Sequence, residues 1–272
     1  MKGRYLPGLI EGESVYAVAV DETAKHRPGQ ITTRAEKSGN GFKLTGAKSF
    51  VIQGASADML VVAARTSGSE ADESGITLFA VPKDAANMRH DSVRLVDSSM
   101  ATHTTFEGVE LDGDAVIGEV DEGREILNAM LSAGRIGAAA EGVGVAQGAM
   151  DMTIDYLKQR KQFGQLIGEF QALQHRASHL YSEVEIARAV TIKAQQLLDQ
   201  DAGSADLMTS VAKAKVAKAA GLAVKEGVQM HGGIGMTDEY DIGLYMKRDR
   251  TLQEFLGDAY FHASRVAELS GY

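Results

Sequence analysis

Two different spacings of hydrophobic and polar positions divide this chain. Up to about residue 117 the apolar residues come in short runs rich in β-branched and aromatic types. These are Tyr16-Ala-Val-Ala-Val20, Phe42-Lys-Leu44, Ser49-Phe-Val-Ile52, Met59 to Ala64, Thr77-Leu-Phe-Ala-Val81 and Thr104-Thr-Phe106. Clusters of Gly, Asn and Asp separate them, as expected between strands. Ser67-Gly-Ser-Glu-Ala-Asp-Glu-Ser-Gly75 is polar and acidic, which predicts a solvated hairpin tip without chemistry of its own. From Glu122 onward the spacing becomes helical. Helices are predicted over residues 123–162, 170–200 and 206–230, with a fourth from Asp241 towards Ala267 and a break near Gly257.

The first of these helices is crowded with small residues, including Gly134, Gly137, Ala138, Ala139, Ala140, Gly142, Gly144, Ala146 and Gly148. Glycine weakens a helix relative to alanine, so their number predicts close approach by neighbouring helices. A dinucleotide fingerprint is the rival reading, but no strand precedes these glycines and the spacing is not GxGxxG. In the third helix Lys213, Lys215, Lys218 and Lys225 are expected on a solvated face. The resulting expectation is an α+β chain: a small antiparallel β domain over residues 1–117, then an up-down four-helix bundle over residues 118–272.

Composition narrows the function classes. The chain has 272 residues, with 28 basic and 37 acidic side chains, giving a net charge of 28 − 37 = −9. Nucleic acid is therefore not an expected partner. Cysteine is absent, which rules out a disulfide frame or a thiolate site and agrees with a reducing compartment. Met1-Lys-Gly-Arg-Tyr-Leu-Pro7 has no apolar core of a signal peptide. Apolar runs such as Met59 to Ala64 are too short for a membrane span. A cytoplasmic location is the expectation.

Common catalytic constellations are missing. His175 and His179 stand four apart on a predicted helix, the spacing used by zinc proteases. Those enzymes need Glu after the first His, and Arg176 occupies that place, so no metal site is expected. None of the seven histidines follows a Glu by three residues, which a di-iron bundle requires. No Gly-x-Ser-x-Gly elbow occurs either.

Two short motifs remain. Arg160-Lys-Gln-Phe163-Gly164 and Gln229-Met-His-Gly-Gly-Ile-Gly235 each lie at the end of a predicted helix. Glycines allow a backbone to approach a ligand closely, and arginine offers a planar donor fork that suits phosphate oxygens. Plainer readings exist: HGGIG can be a helix C-cap and turn, and Arg160 can answer a helix dipole.

Together the two motifs resemble the flavin-binding signature of the acyl-CoA dehydrogenase family. The resemblance extends over nearly the whole chain. Arg4-Tyr-Leu-Pro-Gly-Leu-Ile-Glu-Gly-Glu13 is similar to the lead-in to the family's middle β domain, and Asn40 to Gly54 to its central strand pair. Members usually carry an N-terminal helical domain, and this chain starts where that domain would have ended. The resemblance implies FAD as cofactor, an acyl-CoA substrate and an electron-transferring flavoprotein as acceptor. It also implies a bundle that forms a dimer or tetramer interface. Arg160, Phe163, Gln229, Gly232 and Gly233 match residues that reach the far end of a flavin held mainly by the neighbouring subunit. Arg135 matches an arginine at the acyl-CoA site, although Ser132 stands where many members have an acid, and a salt-bridge role is the alternative.

Other positions depart from the family pattern. The family removes a proton beside the thioester with a Glu base. Its usual place, a Glu-Gly pair, falls on Leu256-Gly257, and the alternative place falls on Gly134. No catalytic base is therefore assigned, and Glu254 and Asp258 are the nearby carboxylates. Asp21 and Ile52 replace two threonines that contact the flavin ring. An apolar Ile52 leaves a flavin polar group unpaired. The pattern implies a helper subunit that completes the FAD site of a homologous catalytic partner. Such an arrangement resembles some heteromeric enzymes acting on bulky acyl-CoA esters, including steroid side chains. Three readings compete with it: a homomeric dehydrogenase with a displaced carboxylate base, a non-catalytic truncated interaction module, and a flavin oxidase or monooxygenase on the same scaffold.

Overall fold

The computed structural model describes residues 2–272, without the side chains of Lys2 and Arg4. The chain forms two compact units, the first ending at Met130 and the second spanning Leu131–Tyr272. The boundary lies within one long helix, so the chain passes between the units without a linker.

The first unit opens with α1 (Lys2–Glu11), a helix that tolerates Pro7 inside it. The strands follow: β1 (Tyr16–Ala19), β2 (Arg34–Ser38), β3 (Gly41–Ile52), β4 (Met59–Arg65), β5 (Ile76–Pro82), β6 (Met88–Arg94), β7 (Met100–Leu111) and β8 (Val116–Ile117). They make one sheet in the order β6-β7-β3-β2-β4-β5-β8, with β1 also paired to β4. Most neighbours are antiparallel, as expected for an α+β chain, and two pairings are parallel. β1 runs parallel to β4, with Tyr16 opposite Met59, and β2 meets β4 in parallel at Arg34 and Arg65. The two predicted runs at Phe42 and Ser49 belong to the single strand β3. Its pairing with β7 shifts between Lys48 and Val51, a bulge in which Phe50 takes φ 53°. Inward residues such as Leu44, Leu60, Phe79, Phe106 and Val109 form the core of this unit, with Phe42 set edge-on to Phe79 at 5.2 Å between ring centres.

β4 and β5 form the expected hairpin, with residues 66–75 as its tip. The tip is tied down from inside. Arg65 is almost fully buried, and its guanidinium donates to the carbonyls of Ser74, Glu70 and Asp72 at 2.6, 2.9 and 3.0 Å. Those bonds satisfy backbone acceptors that the turn would otherwise leave unmade.

The second unit is helical: the remainder of α2 (Gly123–Gln159), then α3 (Gln171–Asp199), α4 (Ala205–His231), α5 (Ile242–Glu254) and α6 (Ala259–Leu269). The predicted fourth helix is thus two helices, broken over Phe255 to Asp258. Asp258 caps α6 by accepting from the amides of Tyr260 and Phe261. The core joins α2, α3, α4 and α5 through Ala146, Ala149, Leu180, Val184, Ala220, Ala223 and Ile242. The small residues of α2 serve the close approach their number predicts. A Cβ on Gly142 would meet Val216 at 2.6 Å, and one on Gly148 would meet Tyr245 at 2.6 Å. The lysine row of α4 needs a correction. Lys218 and Lys225 are exposed, whereas Lys213 is buried at 2% exposure, because its ammonium finds backbone acceptors in the last turn of α5 and just after it. Among the described residues no helix is long and apolar enough to cross a membrane.

Candidate functional site

One end of the helical unit collects both sequence motifs. α2 ends at Gln159, and the chain turns back through a two-stranded ribbon, β9 (Lys161–Gln162) and β10 (Gln165–Leu166). The Ile167 amide donates to the Arg160 carbonyl at 2.9 Å and closes the ribbon. Phe163 and Gly164 form its two-residue turn, both left-handed with φ 53° and 82°. Two left-handed residues give the primed hairpin turn that matches strand twist, usually built from Asn-Gly or Gly-Gly. Phenylalanine adopts this backbone at a cost. The turn throws its ring outward, 90% exposed, with only an edge contact to Phe170 at 6.2 Å between ring centres.

The second motif closes α4. Gly232, with φ 63°, ends the helix, and its amide donates to the Gln229 carbonyl. Gln229, Gly232 and Gly233 are exposed, and a Cβ on either glycine would meet open space. The two motifs are anchored side by side. Leu157 at the end of α2, Ile167 after the ribbon and Met230 at the end of α4 share one apolar cluster. The Tyr156 and His231 rings lie 4.4 Å apart, and Tyr240 covers His231 at 4.6 Å. Burial lowers the pKa of His231, which holds the Gly227 carbonyl through Nδ1 at 2.7 Å. Arg160 is exposed on this same end. An open glycine backbone, an exposed cation and an exposed aromatic ring suit the phosphate and adenosine end of a dinucleotide.

Gly134 and Leu256 also come together. A Cβ on Gly134 of α2 would stand 2.6 Å from Cδ1 of Leu256 in the α5–α6 corner. Neither residue accepts a proton, and Leu256 is 9% exposed with a left-handed φ of 57°. The neighbouring carboxylates are engaged. Glu254 accepts from Arg250 at 2.7 Å, and Asp258 caps α6. Arg135, next to Gly134, is buried with Nη1 3.8 Å from Asp206 and its guanidinium 5.7 Å from the centre of the Phe261 ring. Arg265 pairs with the same Asp206.

In the first unit, neither Asp21 nor Ile52 has a hydroxyl group that could bond a flavin ring. Asp21 is locked to His26 Nδ1 at 2.8 Å and accepts from the Arg27 amide at 3.1 Å, so its carboxylate is already committed. Ile52 offers no polar atom. Beside them lies a buried ion pair that sequence reading missed. Lys48 Nζ is 2.7 Å from Glu22 and donates to the Val20 carbonyl at 3.1 Å. Burial works against the Glu22 charge, but Lys48, with Thr32 and Thr33, brings its pKa down to about 2. Burial in turn lowers the pKa of Lys48. A signal existed: Lys48 sits on the inward alternation of β3, between Leu44 and Val51. His175 and His179 are exposed on α3, and among the described residues no group of three His, Asp or Glu could hold a metal.

Comparison with known proteins identifies the family. Residues 121–270 match the acyl-CoA dehydrogenase C-terminal domain, and residues 19–109 match the acyl-CoA dehydrogenase middle domain. The chain is 34% identical over 251 residues to the short/branched chain specific acyl-CoA dehydrogenase, mitochondrial, of Bos taurus, covering 90% of this chain but 57% of that protein. Butyryl-CoA dehydrogenase from Megasphaera elsdenii superposes with a TM-score of 0.92 at 25% identity, over 99% of this chain and 71% of that one. A steroid ACAD superposes with a TM-score of 0.88 at 28% identity, over 99% and 70%. The chain belongs to the acyl-CoA dehydrogenase family.

Proposed function

We propose that this chain is a subunit of a flavin-dependent acyl-CoA dehydrogenase and completes the FAD site of a homologous catalytic partner without supplying the base. In that role Arg160, Phe163, Gln229, Gly232 and Gly233 hold the pyrophosphate and adenosine end of a flavin whose ring is seated in the partner. Bound FAD supplies the hydride acceptor for α,β-dehydrogenation of an acyl-CoA thioester, and an electron-transferring flavoprotein reoxidises the assembly. This chain's own contribution is to bind and orient: Arg160 offers a charged donor fork, and the glycine turn offers an open backbone.

The observation that carries the reading is the contact between Gly134 and Leu256. Two positions able to hold a base meet each other, and neither side chain takes a proton. A proton cannot leave the carbon beside a thioester at a useful rate without a positioned acceptor. The committed carboxylate of Asp21 gives independent support, because it withholds the flavin ring's contact on the same chain. The test is α-proton exchange of an acyl-CoA thioester in heavy water. The chain alone is expected to give the buffer rate. Exchange well above that rate, lost in Glu254→Gln or Asp258→Asn, would overturn the proposal in favour of a displaced base.

A further inference from the structure

The corner between α5 and α6 is held from another helix. Lys213 lies in the middle of α4, 2% exposed. Its Nζ donates to the Leu252 carbonyl at 2.9 Å and to the Gly257 carbonyl at 3.0 Å. These two acceptors lie on either side of Leu256. The Leu256 carbonyl in turn bonds His262 Nε2 at 3.0 Å. The corner runs through two left-handed residues, Leu256 at φ 57° and Gly257 at φ 107°. Leucine does not adopt that backbone unless its surroundings impose it. Helix ends leave carbonyls without intrahelical partners, and here a buried amine satisfies one of them, Leu252 O, together with the corner carbonyl of Gly257.

We infer that Lys213 is a positioning residue: by binding Leu252 O and Gly257 O it fixes the left-handed corner and aims the side chain at position 256 against Gly134. The inference stands apart from the flavin reading, since it concerns only how position 256 is held. Whatever residue occupies 256 is presented by α4 to the same place on α2.

The electrostatics around the clamp agree with it. The charged groups facing Lys213 are Asp249 of α5, Asp258 and Glu254 of the corner, and Arg135 of α2, with His262 of α6 across the corner. Burial lowers the Lys213 pKa to about 8 against the pull of the three acids. Burial raises Asp249 to about 6, and Asp249 also faces Lys225 and Arg250 and accepts from Gln253. A neutral amine keeps two N–H groups, as many as the two carbonyls take. The clamp therefore persists above the Lys213 titration, with its bonds no longer charge-assisted.

The first arm of the test is amide exchange in the 272-residue chain. Lys213→Met is expected to speed exchange of the Phe255 and Gly257 amides about tenfold or more. The α4 core from Val216 to Val224 should be unaffected. Exchange at the corner within about twofold of the parent, in a folded Lys213→Met variant, would overturn the inference. The second arm needs no variant and so survives a failure of Lys213→Met to fold. The carbonyl carbons of Leu252 and Gly257 are followed by NMR with Lys213 Cε over roughly pH 6 to 11. All three are expected to move with one midpoint well below that of the exposed lysines. Carbonyls that ignore the Lys213 titration would overturn it.

Discussion

Phe163 carries the plainest conflict between stability and function at the scale of single residues. A 90% exposed ring on a left-handed backbone contributes little packing and stores about 1 kcal/mol of strain. Phe163→Asn is expected to raise stability by about 1 kcal/mol in urea unfolding, because Asn tolerates this backbone. The same change is expected to hasten loss of FAD from the assembled enzyme, read by dilution fluorescence. Arg160 separates the two effects in another way. Its side chain is exposed, so Arg160→Ala leaves unfolding unchanged while weakening FAD retention by about tenfold, the worth of one charge-assisted contact. A Cβ added at Gly134 would stand 2.6 Å from the terminal Cδ1 of Leu256, which couples the two positions. Gly134→Ala is expected to change stability by less than about 1 kcal/mol, because the cost of displacing the flexible end of Leu256 is offset by the better helix propensity of alanine. A Leu256→Ala background should remove most of that cost, and a double-mutant cycle of urea unfolding measures the coupling.

At the scale of elements, the helices were legible because long apolar periodicity and runs of small residues are local signals. α2, α3 and α4 end within a few residues of their predicted limits, and the break near Gly257 was visible as a glycine inside a helical pattern. The missed strands had no such signal. β2 reads Arg34-Ala-Glu-Lys-Ser38 and β6 is mostly exposed, so neither presents an apolar run. The parallel pairings of β4 with β1 and β2 join segments distant in sequence, which no local period encodes. Lys213 was misplaced for the same reason. Its acceptors are 39 and 44 residues away, and only tertiary structure makes a lysine in a lysine row a buried one. The Glu22–Lys48 pair pins the β1–β2 segment to β3 and makes a pH prediction. The folded pKa of Glu22, about 2, lies below its ordinary 4.5. The stability it contributes is therefore complete above about pH 4.5 and is lost as pH falls towards 2. Glu22→Gln is expected to abolish that acid dependence and to cost about 3 kcal/mol at neutral pH, since Lys48 keeps a buried charge without its partner. Urea unfolding across the acid range measures both.

For the whole molecule, the chain carries the middle and C-terminal domains of one family. Under the proposed function, the positions for a subunit's own flavin ring and for proton removal are those of Asp21, Ile52, Gly134 and Leu256, whose side chains do not suit those roles. Those suited to the far end of a flavin stay together at one end of the helical unit. That division was readable in the sequence as a list of matches and mismatches. The contact between Gly134 and Leu256, and the engagement of Asp21 by His26, were not readable, because both are tertiary. The central claim is that the flavin belongs to the assembly and not to this chain alone. The most direct measurement is the ratio of FAD to polypeptide after purification, for this chain alone and for this chain co-expressed with a homologous subunit that carries the Glu-Gly pair. The account predicts no retained FAD for the chain alone and one FAD per pair of chains in the complex, falling when Arg160 is replaced. Stoichiometric FAD with dehydrogenase activity in the lone chain would contradict it.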